Sequence, residues 1–143
     1  MIDIHNHILP GLDDGAADLD ESLLMARAAE KDGITDIIAT PHLSDPALTE
    51  EEICQQTDRL NMSLQEADMT IRVHPGAEIA MHMLSHEENW IGLAGSRYLL
   101  VEFSPYNLRP SADRIFKHLI NLDYQIIVAH PERHPSVIEK PAR

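Results

Sequence analysis

The sequence predicts an α/β fold in which helices cover a parallel sheet. Short runs of apolar and β-branched residues alternate along the chain with longer segments of helical periodicity. The strand segments are almost continuously apolar, as is typical of a parallel sheet covered on both faces. With 143 residues the chain has the length of one domain, and no linker or internal repeat divides it. We therefore expect a single domain over residues 1–143.

The first half of the chain predicts strands that alternate with two helices. A helix follows the acidic run at 18–21, which complements the helix dipole, and Gly33 is suited to end it. Thr49 and Glu52 have the spacing of a capping box at the start of the second helix, which should extend to about Ala67. The strands predicted in this half are Ile2–His5, Ile34–Thr40 and Thr70–His74.

The second half of the chain continues the same alternation. A short helix is expected from Met81 to His86. Ser111 can cap a further helix, whose apolar residues between 115 and 120 recur at helical spacing and should face the core. The strands predicted in this half are Tyr98–Phe103 and Gln125–Ala129.

Composition excludes several classes of protein. The chain has 11 Lys and Arg against 24 Asp and Glu, a net charge of −13, so it lacks the basic surface that nucleic acids and anionic membranes require. No apolar run approaches the roughly 18 residues of a membrane span, and no signal peptide is visible. The single cysteine, Cys54, cannot form an internal disulfide, which favours a reducing, cytoplasmic location.

Cysteine-based catalysis is disfavoured as well. Cysteine phosphatases separate the nucleophile from an arginine by five residues and use glycines to bring the backbone close to phosphate. Between Cys54 and Arg59 there are only four residues and no glycine, and the segment lies inside a predicted helix. No neighbour that would activate the thiol is visible.

Side chains that bind metal ions occur at or just after the end of each predicted strand. Because the carboxyl ends of parallel strands meet on one face of such a fold, residues far apart in sequence should converge there. A mixed set of imidazoles and carboxylates suits manganese, iron, zinc or cobalt. The candidate ligands are His5, His7, His42, Glu78, Glu102 and His130.

Taken singly, these residues also have ordinary structural interpretations. Two histidines spaced as in His5-Asn6-His7 occur on surfaces by chance, and Glu78 could be a solvated loop carboxylate. Glu102 is harder to dismiss, since a carboxylate within an apolar strand is costly to bury unless it is paired or bound to metal. Asp14 offers a hard oxygen donor, whereas the neighbouring Asp13 is interpreted as part of a plain Asp-Gly turn.

The sequence resembles the polymerase-and-histidinol-phosphatase (PHP) superfamily, and more closely its bacterial capsule and exopolysaccharide branch of manganese-dependent protein-tyrosine phosphatases. The resemblance covers positions 1–134, in family order and at family-like spacing. The opening segment with Asp14 and the Ala-His-x-Glu-Arg element at 129–133 are specific to this branch. The matching segments are 1–7, 13–15, 33–42, 76–79, 96–103 and 129–133.

The resemblance implies a distorted β/α barrel of PHP type, with this chain supplying about five of seven strands, and a cluster of up to three divalent ions. Manganese is the first expectation for these ions, with iron, zinc or cobalt as alternatives. Arg133 would contact the substrate phosphate, for which its planar fork is suited. The implied ligands are His5, His7 and Glu78 for the first metal, Glu78, Glu102 and His130 for the second, and Asp14 and His42 for the third.

The resemblance also implies an activity and a partner. The expected reaction is hydrolysis of phosphotyrosine on the tail of a bacterial tyrosine kinase that regulates capsule or exopolysaccharide synthesis. Water activated at the metal ions would be the nucleophile, without a cysteine intermediate. Neither nucleic acid nor direct membrane insertion is expected.

The family pattern is not complete in this sequence. Members carry a late Asp-x-His motif in two further strands, and no Asp-x-His follows His7 here. We therefore expect a C-terminally truncated PHP domain with exposed sheet edges, which favour homo-oligomers. Two alternatives remain open. One is a catalytically impaired domain that binds metal or a partner, and the other is a different PHP phosphomonoesterase such as a histidinol phosphatase.

Overall fold

Parallel strands alternate with helices along the chain, as the sequence predicts. The structure is a computed structural model and describes residues 1–45, 47–85, 90–103 and 112–139. The strands are β1 (Ile2–Asn6), β2 (Asp36–Ala39), β3 (His42–Leu43), β4 (Arg72–Pro75), β5 (Glu78–Ala80), β6 (Tyr98–Glu102) and β7 (Gln125–Val128).

Three of the four α-helices of the described residues lie in the predicted places, whereas the helix at Pro135–Glu139 was not predicted. The short helix predicted after β5 is a 3₁₀ helix, whereas His86, its predicted last residue, and Ser111, the predicted cap of the third α-helix, lie outside the described residues. Within the described ranges, no helix has both the length and the apolar character needed to cross a membrane. The helices are α1 (Leu19–Lys31), α2 (Glu50–Glu66), α3 (Ala112–Asn121) and α4 (Pro135–Glu139), with 3₁₀ helices at Met81–Ser85, Leu93–Gly95 and Pro131–Arg133.

Local sequence accounts for where α1 and α2 begin and end. Asp18 caps α1 by accepting a hydrogen bond from the Glu21 amide at 3.0 Å. Thr49 Oγ1 caps α2 by accepting from the Glu52 amide at 3.2 Å, as the capping-box spacing predicts. Gly33 follows α1 with a φ of +81°, a left-handed conformation that glycine adopts without steric cost.

All strand pairs are parallel, in the spatial orders β1-β2-β4 and β3-β5-β6-β7. Only residues 40–41 separate β2 from β3, and only residues 76–77 separate β4 from β5. The short strands β3 and β5, which were not predicted, therefore follow closely on two strands that were. The order of neighbours follows the chain, as in a β/α barrel. Within the described ranges no pairing joins β7 to β1.

Sterics and missing donors explain the two interruptions. Pro41 has no amide hydrogen for a strand ladder. Gly76 packs so closely that a β-carbon there would lie 2.8 Å from Ile38 Cγ2 and 3.1 Å from Leu93 Cδ2. The breaks shift β3 and β5 into the second sheet, and both of these short strands begin with a candidate ligand.

The main core lies between the sheets and the helices, and a smaller apolar cluster covers the opposite face. The main core includes Ile37, Ile53, Leu60 and Ile79, each no more than 1% exposed, and the smaller cluster contains Ile38, Leu93, Leu100 and Ala129. At the ends of the strand order, Ile2 of β1 is 61% exposed and Val128 of β7 is 39% exposed. Both outer strands therefore present apolar side chains to solvent.

Candidate metal centre

The carboxyl ends of the strands converge on one cavity, as the sequence predicts. Its volume is about 500 Å³, and none of the described residues that line it has an apolar side chain. His42 and Glu78 open the short strands β3 and β5, whereas the sequence analysis placed them in loops after longer strands. The cavity is lined by all eight predicted site residues and one glycine: His5, His7, Asp14, Gly15, His42, Glu78, Glu102, His130 and Arg133.

Glu78 lies at the centre of this cluster and is 1% exposed, which excludes the interpretation of a solvated loop carboxylate. Its Oε2 atom lies 3.1 Å from His42 Nδ1 and 3.3 Å from His5 Nε2. The same oxygen lies 3.4 Å from His7 Nε2. Its other oxygen, Oε1, lies 2.9 Å from His130 Nε2. Four imidazoles from three parts of the chain thus surround one buried carboxylate.

The Oε2 atom of Glu78 tests whether this cluster fits a metal. It is buried and has no hydrogen-bond partner among the described residues, although three imidazole nitrogens lie within 3.4 Å. A buried polar atom without a partner is costly. Imidazole nitrogens and a carboxylate oxygen directed at one another form a donor set that suits divalent transition metals. The residues present therefore fit a divalent ion.

Three overlapping groups of side chains could each hold an ion. Within each group the ligand atoms lie within 4.8 Å of one another. The first group coincides with the ligand set that the resemblance implies for the first metal. Glu102 lies near both His130 (3.6 Å) and His42 (3.8 Å), so the neighbouring groups share residues. The groups are His5, His7 and Glu78; His7, Asp14 and His42; and His42, Glu78 and Glu102.

The neighbouring imidazoles keep the buried Glu78 carboxylate ionised. Burial alone would raise the pKa of the Glu78 carboxyl, but the imidazoles of His5 and His7 hold that pKa well below its usual range. The hydrogen bond to Asp13, followed by the nearby Glu78 carboxylate, raises the pKa of His7 to about 10. A divalent ion held at His7 Nε2 would therefore take the place of a proton.

Asp13, which was predicted to form only a plain Asp-Gly turn, also contacts two candidate ligands. Its Oδ2 lies 2.6 Å from His7 Nδ1 and accepts from the His42 amide at 3.0 Å. Its Oδ1 accepts from the Gly15 amide at 3.0 Å, which is the expected turn contact. Although burial opposes it, the bond with His7 leads the interactions that lower the pKa of Asp13 to about 2. Its nearness in sequence to two histidines was the available signal.

Gly15 completes this turn because nothing larger fits. A β-carbon at this position would collide with the carbonyl oxygen and the β-carbon of His7. The turn therefore packs directly against the backbone of a candidate ligand. Asp14, between Asp13 and Gly15, is left with a side chain that is 82% exposed and lies 3.4 Å from His42 Nε2.

His130 and Arg133 come from the turn after β7. His130 has a φ of +28°, and a non-glycine residue in this region is often found at a functional site. The Arg133 amide donates to the His130 carbonyl at 2.9 Å, which closes the 3₁₀ helix. Arg133 is exposed at the cavity. Cys54, by contrast, lies on α2 outside this cavity, and burial raises the pKa of its thiol.

Comparison with known proteins points to one family. The family model described as "Capsular polysaccharide synthesis, CpsB/CapC" matches residues 1–143. The chain is 37% identical to the tyrosine-protein phosphatase YwqE of Bacillus subtilis, over 99% of this chain and 58% of that protein. It is 28% identical to the tyrosine-protein phosphatase CpsB of Streptococcus pneumoniae, over 96% of this chain and 59% of that protein.

The fold agrees with these relatives. A solved structure from work on YwqE and CpsB, described as unique metal-dependent tyrosine phosphatases, matches with a TM-score of 0.91 and 36% identity. The match covers 99% of this chain and 60% of that chain. The chain thus spans about three fifths of the length of the relatives it matches.

Proposed function

Because the chain belongs to the CpsB/CapC family of capsular polysaccharide synthesis, we propose that it is part of a metal-dependent protein-tyrosine phosphatase. The proposed substrate is phosphotyrosine on the tail of a bacterial tyrosine kinase that regulates capsule or exopolysaccharide synthesis. The expected location is the cytoplasm, in keeping with the single cysteine. The observation that carries the proposal is the buried Glu78 oxygen, which has no hydrogen-bond partner in the described part of the chain and faces three imidazole nitrogens.

The proposed ligand assignment follows the family pattern. Glu78 would bridge two ions, which suits a carboxylate with one oxygen near three imidazoles and the other near His130. Manganese is the proposed metal, with iron, zinc or cobalt as alternatives. The proposed ligands are His5, His7 and Glu78 for the first ion, Glu78, Glu102 and His130 for the second, and Asp14 and His42 for the third.

The chain's own residues would bind and orient the phosphate. The cavity is polar throughout, so it favours a charged phosphate over an apolar ligand. Arg133 lies at this cavity, where its guanidinium can donate two parallel hydrogen bonds to phosphate oxygens. Asp13 would keep the His7 ring directed into the site through the contact at Nδ1. Bound divalent ions supply Lewis-acid stabilisation and activation of the attacking water.

We propose that the whole protein contains strands in addition to those described here. We propose that residues 1–143 are part of one domain, and that further strands lie between the edges of β7 and β1 and complete a β/α barrel. A late Asp-x-His motif in those strands would complete the first and third metal positions. Without such strands, the two apolar edges offer surfaces for self-association.

Hydrolysis of a phosphotyrosine peptide with added manganese tests this function. His130→Ala removes a proposed ligand and should lower turnover by about 100-fold or more. His82→Ala is the matched control, because His82 is exposed, lies outside the cavity, and its ring contacts the Ser44 carbonyl at 3.2 Å, away from the candidate ligands. Equal turnover by wild type and His130→Ala would contradict the proposal.

The same assay separates the alternatives. Turnover confined to histidinol phosphate would identify a different phosphomonoesterase. Manganese binding that depends on His130, without hydrolysis of either substrate, would identify a metal-binding domain that is catalytically impaired. Hydrolysis of the phosphotyrosine peptide that depends on both manganese and His130 would support the phosphatase.

A further inference from the structure

Strand β1 contains one residue more than its partner. Asp3 pairs with Ile37 and Asn6 pairs with Ala39, so three steps along β1 match two steps along β2. The extra residue forms a β-bulge at Ile4 and His5. Bulges of this kind are uncommon between parallel strands and frequent beside active sites, where they redirect side chains.

The bulge decides which face of the sheet the histidines occupy. Asp3 shares a face with Ile37, which is fully buried in the core beneath the helices. Side chains alternate along a regular strand, so without the bulge His5 and His7 would lie on that same helix-covered face. Because of the extra residue, Asn6 pairs with Ala39 and lies on the helix-covered face. Both histidines then lie on the opposite face of the sheet.

The side-chain contacts agree with this change of phase. Asn6 Nδ2 donates to Asp3 Oδ2 at 2.8 Å, although residues three apart on a regular strand lie on opposite faces. The rings of His5 and His7 lie 5.4 Å apart, centre to centre, beside Glu78. The contact between Asp3 and Asn6 indicates that the alternation is interrupted between positions 3 and 6, and the two histidines share the face that contains Glu78.

Asp3 stabilises the irregular backbone. Its Oδ1 accepts from the His5 amide at 3.1 Å, which gives a partner to a group displaced from the strand ladder. Its Oδ2 accepts from the Asn6 side chain on the far side of the bulge. The Asn6 amide in turn donates to Thr40 Oγ1 at 2.9 Å. One carboxylate thus joins the backbone and a side chain within the bulge.

We propose that Asp3 is a positioning residue, which directs His5 and His7 into the metal site by stabilising the bulge in β1. Asp3 does not line the cavity, so it acts through backbone geometry and not as a ligand. The proposal rests on the proposed function, since it concerns the orientation of the proposed ligands of the first metal.

The test is a suppressor experiment. In wild-type background, Asp3→Ala should weaken manganese binding, measured by titration calorimetry, by on the order of 10-fold or more. Deletion of Ile4 removes the extra residue, restores regular pairing, and keeps both histidines on the site face. In the deletion background, Asp3→Ala should therefore leave manganese affinity nearly unchanged. Ile4 is 41% exposed, so its loss removes little packing.

A conservative variant and the deletion background complete the binding test. Asp3→Asn keeps an acceptor for the His5 amide and should retain most of the affinity. If Asp3→Ala alone does not fold, the comparison within the deletion background still decides, because a large loss there would overturn the proposal. Equal affinity of wild type and Asp3→Ala would overturn it too.

A metal-free readout separates this proposal from the proposed function. The rings of His5 and His130 lie 5.8 Å apart, centre to centre, so wild type should give a nuclear Overhauser effect between ring protons. Asp3→Ala should lose this signal, and the added deletion of Ile4 should restore it. If wild type binds no manganese, the proposed function fails, and this signal alone decides the role of Asp3.

Discussion

Individual side chains show why the candidate ligands could be predicted from the sequence and why the contact between Asp13 and His7 could not. His5, Glu102 and His130 were predicted because a metal-type side chain at a strand end lies where parallel strands converge. Asp13 was missed because an Asp-Gly turn explains it locally, and that contact to Gly15 does exist. Its contact with His7, six positions earlier, depends on how the turn folds back over the strand end. No local pattern reports that geometry.

The contact between Asp13 and His7 predicts a loss of metal affinity in Asp13→Asn. The amide keeps the size of the side chain but removes the charge that favours a directed His7 ring. We expect manganese affinity to fall by about 10- to 100-fold, the usual effect of losing a partner of a ligand. Titration calorimetry measures this, with Asp58→Asn on the exposed face of α2 as the matched control. Unchanged affinity would show that Asp13 serves only the turn.

At the scale of elements, long segments were predicted and short ones were not. The α2 helix was predicted within one residue at its end because Thr49 and Glu52 set its start and apolar spacing sets its length. Strands β3 and β5 were missed because two or three residues carry no periodic pattern. Their existence depends on neighbouring strands and on the tight packing at Gly76, which are tertiary properties.

Asn61 links α2 to β4 and should contribute measurably to stability. Its side chain donates to the Val73 carbonyl at 2.8 Å and accepts from the Val73 amide at 2.9 Å, so it replaces a neighbouring strand. Asn61→Ala leaves both backbone groups of a buried residue without these partners. We expect a loss of about 1–3 kcal/mol in the free energy of unfolding, measured by urea denaturation. Gln55→Ala, on the exposed face of the same helix, should change it far less.

Glu30 links the end of α1 to the start of β4 and predicts a pH-dependent contribution. Its Oε1 accepts from Thr70 Oγ1 at 2.6 Å and from the Thr70 amide at 2.8 Å, and these bonds lower the pKa of the Glu30 carboxyl. A lowered pKa stabilises the fold above the ordinary carboxyl pKa, and this contribution is lost as pH falls through the lowered value.

Thermal unfolding of Glu30→Gln as a function of pH measures this contribution. At neutral pH the melting temperature of the variant should be lower than that of wild type. The difference between the two melting temperatures should become smaller as the pH falls into the acid range. Glu66→Gln, at the exposed end of α2, is the control and should show no such trend. A gap that stays constant with pH would mean that Glu30 acts without its charge.

For the molecule as a whole, the fold class and the order of helices and strands could be predicted, because both follow from the alternation of local sequence patterns. The parallel pairing and the succession of neighbours in chain order were thereby predicted. Barrel closure was not decided, since it depends on strands that would pair with the apolar edges at Ile2 and Val128. Such pairing is a long-range property that no segment of this sequence encodes alone.

Metal removal should weaken the entire fold, because the proposed ligands join its first and last strands. A ligand that binds only the folded state stabilises it by about 2.7 kcal/mol when present at 100 times its dissociation constant. We expect manganese to raise the unfolding midpoint and a chelator to reverse the rise. Manganese should raise the unfolding midpoint of His130→Ala less than that of His82→Ala. An equal rise in both variants would place the stabilising ion elsewhere.

The distribution of the ligands along the chain also orders events during biosynthesis. His5 leaves the ribosome 125 residues before His130. Until then Glu78 can meet its other three imidazole neighbours but not the fourth. A growing chain therefore carries an incomplete set of candidate ligands until His130 has been translated, and the cluster around Glu78 is completed only after that.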